Sequence, residues 1–256
     1  MKRFYLLAVS LFLVAFSLML EAQEKEKTNN WYWGISTSIT PSVDTELKTH
    51  DFIRKDNEQW NEYYFDFVEG TFYSWNLGLN IERRFLDNRL AIVSGLLYSQ
   101  TISGMDSDDY SSSEFMMINI SNGSSGVEYL KVKGFDQKAH YLGIPVGVKY
   151  TPLKDHFVNL YIKAGLTFDL LLGHKINTDF VNPLMNKYND RVGKLFNDPA
   201  NLYTTFDFRG GMKLGKVGQP NLNLEIGPTV ILSDDPSSIT TSEVGFSFQL
   251  NVLLPL

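Results

Sequence analysis

FVNLYIKAGLTFDLLL, residues 157–172, carries an apolar residue at every second position. Val158, Leu160, Ile162, Ala164, Leu166, Phe168, Leu170 and Leu172 share one parity, and Asn159, Lys163, Thr167 and Asp169 fall on the other. Side chains on a strand point to opposite faces with period two, so the segment has one oily and one wet face. Its length exceeds the ~5–6 residues of a common soluble strand and suits a tilted membrane-crossing strand of ~9–11.

Seven further segments carry strand character: Trp31–Ile39, Thr71–Phe85, Arg89–Ile102, Lys138–Thr151, Tyr203–Leu214, Asn221–Leu232 and Thr241–Leu254. The links after the second, fourth and sixth of the eight are tight: Leu86-Asp87-Asn88, Pro152 to His156 and Gly215 to Pro220. Asp, Asn, Gly and Pro are turn formers, each through its own backbone geometry. The links Thr40–Gly70, Ser103–Gln137 and Gly173–Leu202 are long and polar, and Ser233–Thr240 is shorter. Short turns at one end and long loops at the other predict an all-β, eight-stranded antiparallel up-and-down transmembrane barrel, with periplasmic turns and extracellular loops.

The start of the chain fits export. Lys2 and Arg3 precede the apolar run Tyr5–Leu20, and Ala22-Gln23 offers a cleavage point, so residues 1–22 read as a signal peptide and 23–256 as one barrel domain. Apart from that leader, no stretch is apolar and long enough for a spanning helix, and only helices and closed barrels satisfy every backbone hydrogen bond in hydrocarbon. The chain has no cysteine, which removes disulfides, thiolate metal sites and lipid attachment to a cysteine. Its formal charge of −6 becomes one unit more negative once Lys2, Arg3 and Glu21 leave, and without a basic patch it argues against nucleic acid as a partner.

The apolar parity is the lipid-facing candidate. Tyr73, Trp75, Leu77, Leu79 and Ile81 oppose Ser74, Asn76, Asn80, Glu82 and Arg84; Phe206, Phe208 and Met212 oppose Asp207, Arg209 and Lys213. Charge reaches the apolar parity near a strand end, at Arg83, as expected where a midplane charge costs ~2–4 kcal/mol. The third strand blurs this pattern at Ser94-Gly95. Aromatic residues gather near both ends: Trp31, Trp33, Phe85, Tyr150 and Phe157 at the turn side, and Tyr73, Trp75, Phe168, Tyr203 and Phe206 at the loop side. Two girdles are what membrane interfaces select. A lipocalin-like soluble barrel is the alternative, and it would turn the apolar parity inward around a ligand.

The fourth strand, YLGIPVGVKY (141–150), resembles the signature strand of the PorT-like outer-membrane β-barrel proteins of Bacteroidetes. The run NLYIKAGLTFDLLLG from Asn159 and the leader ending at Ala22-Gln23 are similar to theirs as well. The resemblance implies a Gram-negative outer-membrane barrel of this size, in a family some of whose members serve protein secretion, and it supplies no catalytic residues. The chain departs from such barrels in ending Leu254-Pro255-Leu256 rather than on an aromatic residue.

The inward parity carries Arg84, Lys149, Lys163, Arg209 and Lys213 against Glu82, Asp169, Asp207, Glu225 and Glu243. An eight-stranded barrel has an interior just wide enough for side chains to fill, and unpaired buried charge is costly, so these groups are expected to pair and plug the lumen. Glu225 is expected opposite Gly211, in diagonal reach of Arg209 and Lys213. A selective pore would instead show a ring of one sign.

Other candidates lie at the rim. His140 and His174 are the histidines near the rim, where a lipid A-modifying enzyme would need one. With His140 expected opposite about residue 168, the two stand too far apart for a dyad and read as interface residues, although Ser112 or Ser113 could approach from a loop. Asp106, Asp108 and Asp109 cluster without the spacing of a calcium loop, and no cofactor or metal is expected. Eight acids oppose three bases between Thr40 and Gly70, and six oppose two between Ser103 and Gln137, so the acidity lies outside. Trp60, Tyr63, Tyr64, Phe65 and Phe67 crowd the first loop, either as a contact surface or packed on Phe115-Met116-Met117-Ile118 in a small extracellular sheet. The expected partners are outer-membrane lipid, lipopolysaccharide and envelope or secretion proteins. The functions compatible with this are a structural, adhesive or envelope-assembly role, with a lipid A-modifying enzyme and a narrow solute channel as alternatives.

Overall fold

A computed structural model describes residues 30–55, 68–107, 116–121, 127–153 and 156–256. Residues 1–22, expected to be a signal peptide, and Trp60–Phe67 lie outside the described residues, as do Asp108, Asp109, Ser112 and Ser113. Among the described residues no helix is long and apolar enough to cross a membrane, which says nothing of strands.

Eight long strands close into a ring: β1 (Trp31–Pro41), β4 (Val68–Phe85), β5 (Leu90–Ser107), β7 (Val127–Tyr150), β8 (Val158–Phe180), β9 (Leu202–Leu214), β10 (Asn221–Ile231) and β12 (Val244–Pro255). Every pairing is antiparallel, and β12 returns to β1 with Trp33 opposite Leu254 and Ile39 opposite Phe248. Four small strands sit beyond the loop end: β2 (Glu46–Leu47), β3 (Ile53–Lys55), β6 (Met116–Ser121) and β11 (Thr240–Thr241). A 3₁₀ turn (Pro183–Tyr188) and a short helix α1 (Asn189–Gly193) complete that end.

The two faces are inverted relative to a water-soluble barrel. On β4, Leu79 and Ile81 are 55% and 47% exposed, while Asn80 and Glu82 between and beside them are 4% and 2% exposed. Ile35, Leu96, Ile144, Leu160, Phe208, Ile226 and Phe248 also point outward, and Ser36, Lys149, Asn159, Arg209, Glu225 and Asn251 point in. Water would not tolerate such a wall; hydrocarbon requires it. The inversion excludes the lipocalin-like alternative.

The turn end follows local chemistry. Leu86, Asp87 and Asn88 all take positive φ, at 49°, 56° and 66°, and Asp and Asn tolerate this left-handed region better than most residues. The β9–β10 turn uses Gly215 and Gly218 at φ 128° and 74°, where a side chain would be strained.

The loop end is more ordered than its sequence suggests. β4, β5, β7 and β8 continue past the expected strand limits, and β6 pairs with the top of β7, Met116 opposite Val132. β6 takes β3 as its other neighbour, Ile53 opposite Ile118, which makes a small sheet there, while Trp60–Phe67 and Phe115, expected to meet in it, lie outside the described residues. Here the barrel interior turns apolar: Ile53, Met105, Met116, Ile118, Leu130, Val132, Phe135, Phe180, Phe196 and Ile239 form one buried cluster. The protein therefore has a charged core within the membrane and an oily core above it.

Candidate functional site

The lumen is filled from the turn end upward. Glu82 on β4 accepts hydrogen bonds from Arg84 Nε and, at 3.0 Å, from Lys149 Nζ on β7. The Arg84 guanidinium sits 3.6 Å from the centre of the Tyr32 ring, and the Lys149 ammonium 4.1 Å from that of Tyr161. All of these groups are buried, so cation–π contact replaces some of the lost hydration.

The second half of the network is built on Glu225. Its Oε2 lies 3.0 Å from Lys163 Nζ and 3.7 Å from Arg209 Nη1, while Oε1 accepts from Tyr161 Oη at 2.9 Å and Asn251 Nδ2 at 3.1 Å. Arg209 Nη2 also meets Asp207 Oδ1 at 2.6 Å, and Thr229 Oγ1 donates to the same oxygen at 2.6 Å. Asn80 Nδ2 bonds Asn251 Oδ1 at 2.9 Å, which links β4 to β12 over the intervening β1. Each carboxylate thus receives several donors, the condition under which buried charge is tolerated.

Register explains the assembly. Glu225 is opposite Gly211 on β9, and Gly211 is opposite Tyr161 on β8, so the carboxylate and the phenol meet over a glycine. Lys163 pairs with Arg209 in the next row, which brings both cations to one acid. Lys213 is placed lower, buried in a row with Asn159 and Asn223. Asp169 lies higher, where it accepts from Ser99 Oγ at 3.1 Å. Glu243 is exposed ahead of β12 rather than turned into the lumen.

Several members escape a reading of charges alone. Tyr32, Tyr161, Asn80 and Asn251 all share the inward parity with the charged residues, and that parity is their signal in the sequence. Tyr203, placed by sequence in the outer girdle, instead turns inward, 5% exposed, and stacks edge-on against Tyr141 at 4.8 Å. The blurred third strand also resolves: Val93 and Leu97 face the lumen as apolar filler opposite the polar wall of β8 and β9.

Above the charges, the segment between β10 and β12 folds over the mouth. Gln137 Nε2 donates to Ser238 Oγ at 2.6 Å and Gln137 Oε1 accepts from Ser238 N at 2.8 Å. Ser237 Oγ bonds Ser103 Oγ at 2.7 Å, Tyr141 Oη donates to Pro236 O at 3.2 Å, and Ile239 is wholly buried in the oily core. Lys48 ties the segment down from outside through Ser237 O at 2.6 Å and Asp235 at 3.0 Å. Among the described residues, lumen voids of about 60, 30 and 10 Å³ are found between these layers, polar spaces suited to ordered water. A broad hollow beside Leu160, Met212, Leu224 and Ile226 opens on the apolar outer wall, where acyl chains would fill it.

The rim histidines stand apart in environment. His140 is on the outer wall with Nδ1 2.5 Å from Tyr98 Oη, and Trp75 Nε1 donates to Gln100 beside it at 2.8 Å. His174, in the row of buried Ala139, meets Asp198 at 3.4 Å.

No protein-family model matches the chain, and no curated protein does. Among solved structures, the outer membrane protein OprG from Pseudomonas aeruginosa is 11% identical over 89% of this chain and 96% of its own, with a TM-score of 0.45. The translocator domain of autotransporter NalP from Neisseria meningitidis is 9% identical over 97% and 96%, with a TM-score of 0.31. The transport unit of autotransporter AIDA-I from Escherichia coli is 8% identical over 91% and 92%, with a TM-score of 0.21. The chain's own faces carry more weight than likeness at this level. A closed eight-stranded ring, apolar outside and charged inside, is an outer-membrane β-barrel.

Proposed function

We propose that this chain is a sealed outer-membrane barrel whose working surface is its extracellular cap, serving a structural, adhesive or envelope-assembly role rather than conduction or catalysis. The observation that carries this reading is the filled lumen. Glu82, Arg84, Lys149, Lys163, Asp207, Arg209 and Glu225 are tied to one another at depth, and the Pro236–Thr240 segment is bonded across the mouth. Charges of both signs held in pairs present no ring of one sign to select an ion. The cap, by contrast, has a core of its own, which is costly to build for a loop that merely caps a pore. Similarity of the 141–150 strand to PorT-like barrels favours an envelope or secretion assembly among the possible contexts.

The test is conductance of the purified full chain in a planar bilayer, together with envelope phenotypes of a deletion strain. The expected outcome is no discrete current steps, with greater sensitivity to detergents and large antibiotics and an unchanged lipid A mass profile. Reproducible current steps would favour the channel, and a shifted lipid A profile the enzyme.

A further inference from the structure

Strand pairing sorts the outer wall into rows that can be followed toward the cap. One row reads Leu77, Tyr98, Leu142 and Leu170; the next reads Trp75, Gln100, His140 and Gly173; the next reads Tyr73, Ile102, Lys138 and Lys175. The wall therefore passes from apolar, through an aromatic and amide row, to two cations within three rows.

The interior changes polarity just beyond this level, above Gln137 and Ser103. Inward residues of β7 run from Lys149 through Gly147 and Gly143 to Tyr141, Gln137 and then Phe135 in the oily core. Where the outside turns wet, the inside turns dry. That crossing marks the membrane surface from two independent faces. Length agrees: from exposed Tyr150 in the lower girdle to His140, a ~3.4 Å rise per residue at ~40° tilt climbs about 26 Å, close to the ~25 Å apolar band of such barrels. Lys138, two residues further, then stands about 5 Å into the headgroup layer.

Lys138 and Lys175 are directly opposite each other on β7 and β8, both exposed. Like charges so placed repel, and a sheet avoids the arrangement unless something compensates. Among the described residues neither ammonium has a carboxylate within ion-pair distance; the salt bridges nearby join other groups, such as His174 to Asp198. The acids on the same strands, Asp136 and Asp179, are further toward the cap. Asp136 is the next outward residue above Lys138, across from Asn177, and the wall just below is covered by lipid, so an anion of the lipid layer is placed to compensate the two cations from below.

We infer that Lys138 and Lys175 form a binding site for the phosphate groups of the outer-leaflet glycolipid, with its acyl chains lying along Leu142, Leu170 and Leu172 beneath. Charge complementarity and continuity with the lipid-covered wall both point to a phosphorylated membrane lipid. The site needs the embedded wall and not the sealed lumen, so current steps in a bilayer would refute the closed pore and leave this site standing.

The experiment is native mass spectrometry of the full chain ejected from nanodiscs that contain either bisphosphorylated lipid A or its phosphate-free form. Wild type is expected to retain the bisphosphorylated lipid selectively. K138Q/K175Q is expected to bind it roughly thirtyfold more weakly, K138R/K175R to restore binding, and K187Q/K194Q, with the same change of net charge, to leave it unaltered. Each variant is first checked for the folded gel mobility of wild type; these side chains are exposed, so all should pass. Equal retention by K138Q/K175Q, equal retention of the phosphate-free lipid, or displacement by equimolar inorganic phosphate would each overturn the inference.

Discussion

The ring of Tyr161 covers Gly211, its cross-strand neighbour, and that placement carries its hydroxyl to Glu225 one strand further on. A Cβ at position 211 would lie 2.3 Å from Tyr161 Cζ, so glycine is what lets the ring lie across β9. The phenol cannot yield freely, because Lys149 sits on its face and Glu225 holds its hydroxyl. Gly211→Ala should therefore destabilise the barrel by about 1–3 kcal/mol. Tyr161→Phe, which keeps the ring and loses the bond, should cost about 1–2 kcal/mol. Urea unfolding in detergent, followed by loss of the fast-migrating gel form, measures both; an alanine at 211 as stable as glycine would refute the packing.

Glu225 is the acid on which two cations depend. Glu225→Gln keeps the size and leaves Lys163 with a neutral amide, while Arg209 retains Asp207. Breaking a buried pair from one side costs about 3–5 kcal/mol. The double variant E225Q/K163M removes the orphaned charge and should recover at least half of that loss in the same unfolding assay. Additive losses would mean that the two residues do not interact.

Much of this architecture is legible in the sequence, and the gaps have identifiable causes. The alternation of β8 is plain from Val158 to Leu172, and Leu172 is where the sequence reading ends, because an extra residue there shifts the parity against β7. A second irregularity between Val132 and Gly134 does the same on β7, so its upper half no longer continues the pattern below Lys138. A one-residue bulge exchanges the faces, and a period-two reading then sees noise. The oily cap is hidden for the same reason and for another: among the described residues its apolar side chains come from eight separated segments, those of Ile53, Val68, Met105, Ile118, Val132, Phe180, Phe196 and Ile239. Inside the membrane, charges announce themselves by parity, whereas Tyr161 reads as one more aromatic until its register with Gly211 is known.

Asp106 lies across from Gly134, whose other neighbour is Asp179, with Asp136 close by. Partial burial, then Asp136 and Asp179, hold its carboxyl above the ordinary 3.8. A raised acid favours the protonated folded state, so the cap is expected to lose stability as pH rises from 3.8 through the shifted value. Asp106→Asn removes the repulsion. At neutral pH it should raise the thermal midpoint by about 1–2 °C and flatten its dependence on acid, as read by differential scanning calorimetry. A lower midpoint for the variant would show that the carboxylate has a stabilising counter-charge.

His50 gives the cap a sensitivity of the opposite sign. Its ring packs on Phe52 and Phe196 at 5.2 and 4.8 Å, and Nε2 is buried. Burial, and next the Lys48 ammonium, hold its pKa below 6.5, with a backbone bond at Ser238 and Asp51 opposing them more weakly. The neutral ring is therefore the form that fits. Stability from this site is full above the unfolded value of 6.5 and is lost as pH falls from there through the lowered folded value. Protonation would place a second cation beside Lys48, the residue that anchors the Asp235–Ser237 stretch over the mouth. Limited proteolysis of the cap should thus be faster at about pH 5 than at about pH 7.5, and His50→Phe, which keeps the aromatic contacts, should abolish the difference. A variant that stays as acid-sensitive as wild type would move the cause to the carboxylates of the cap.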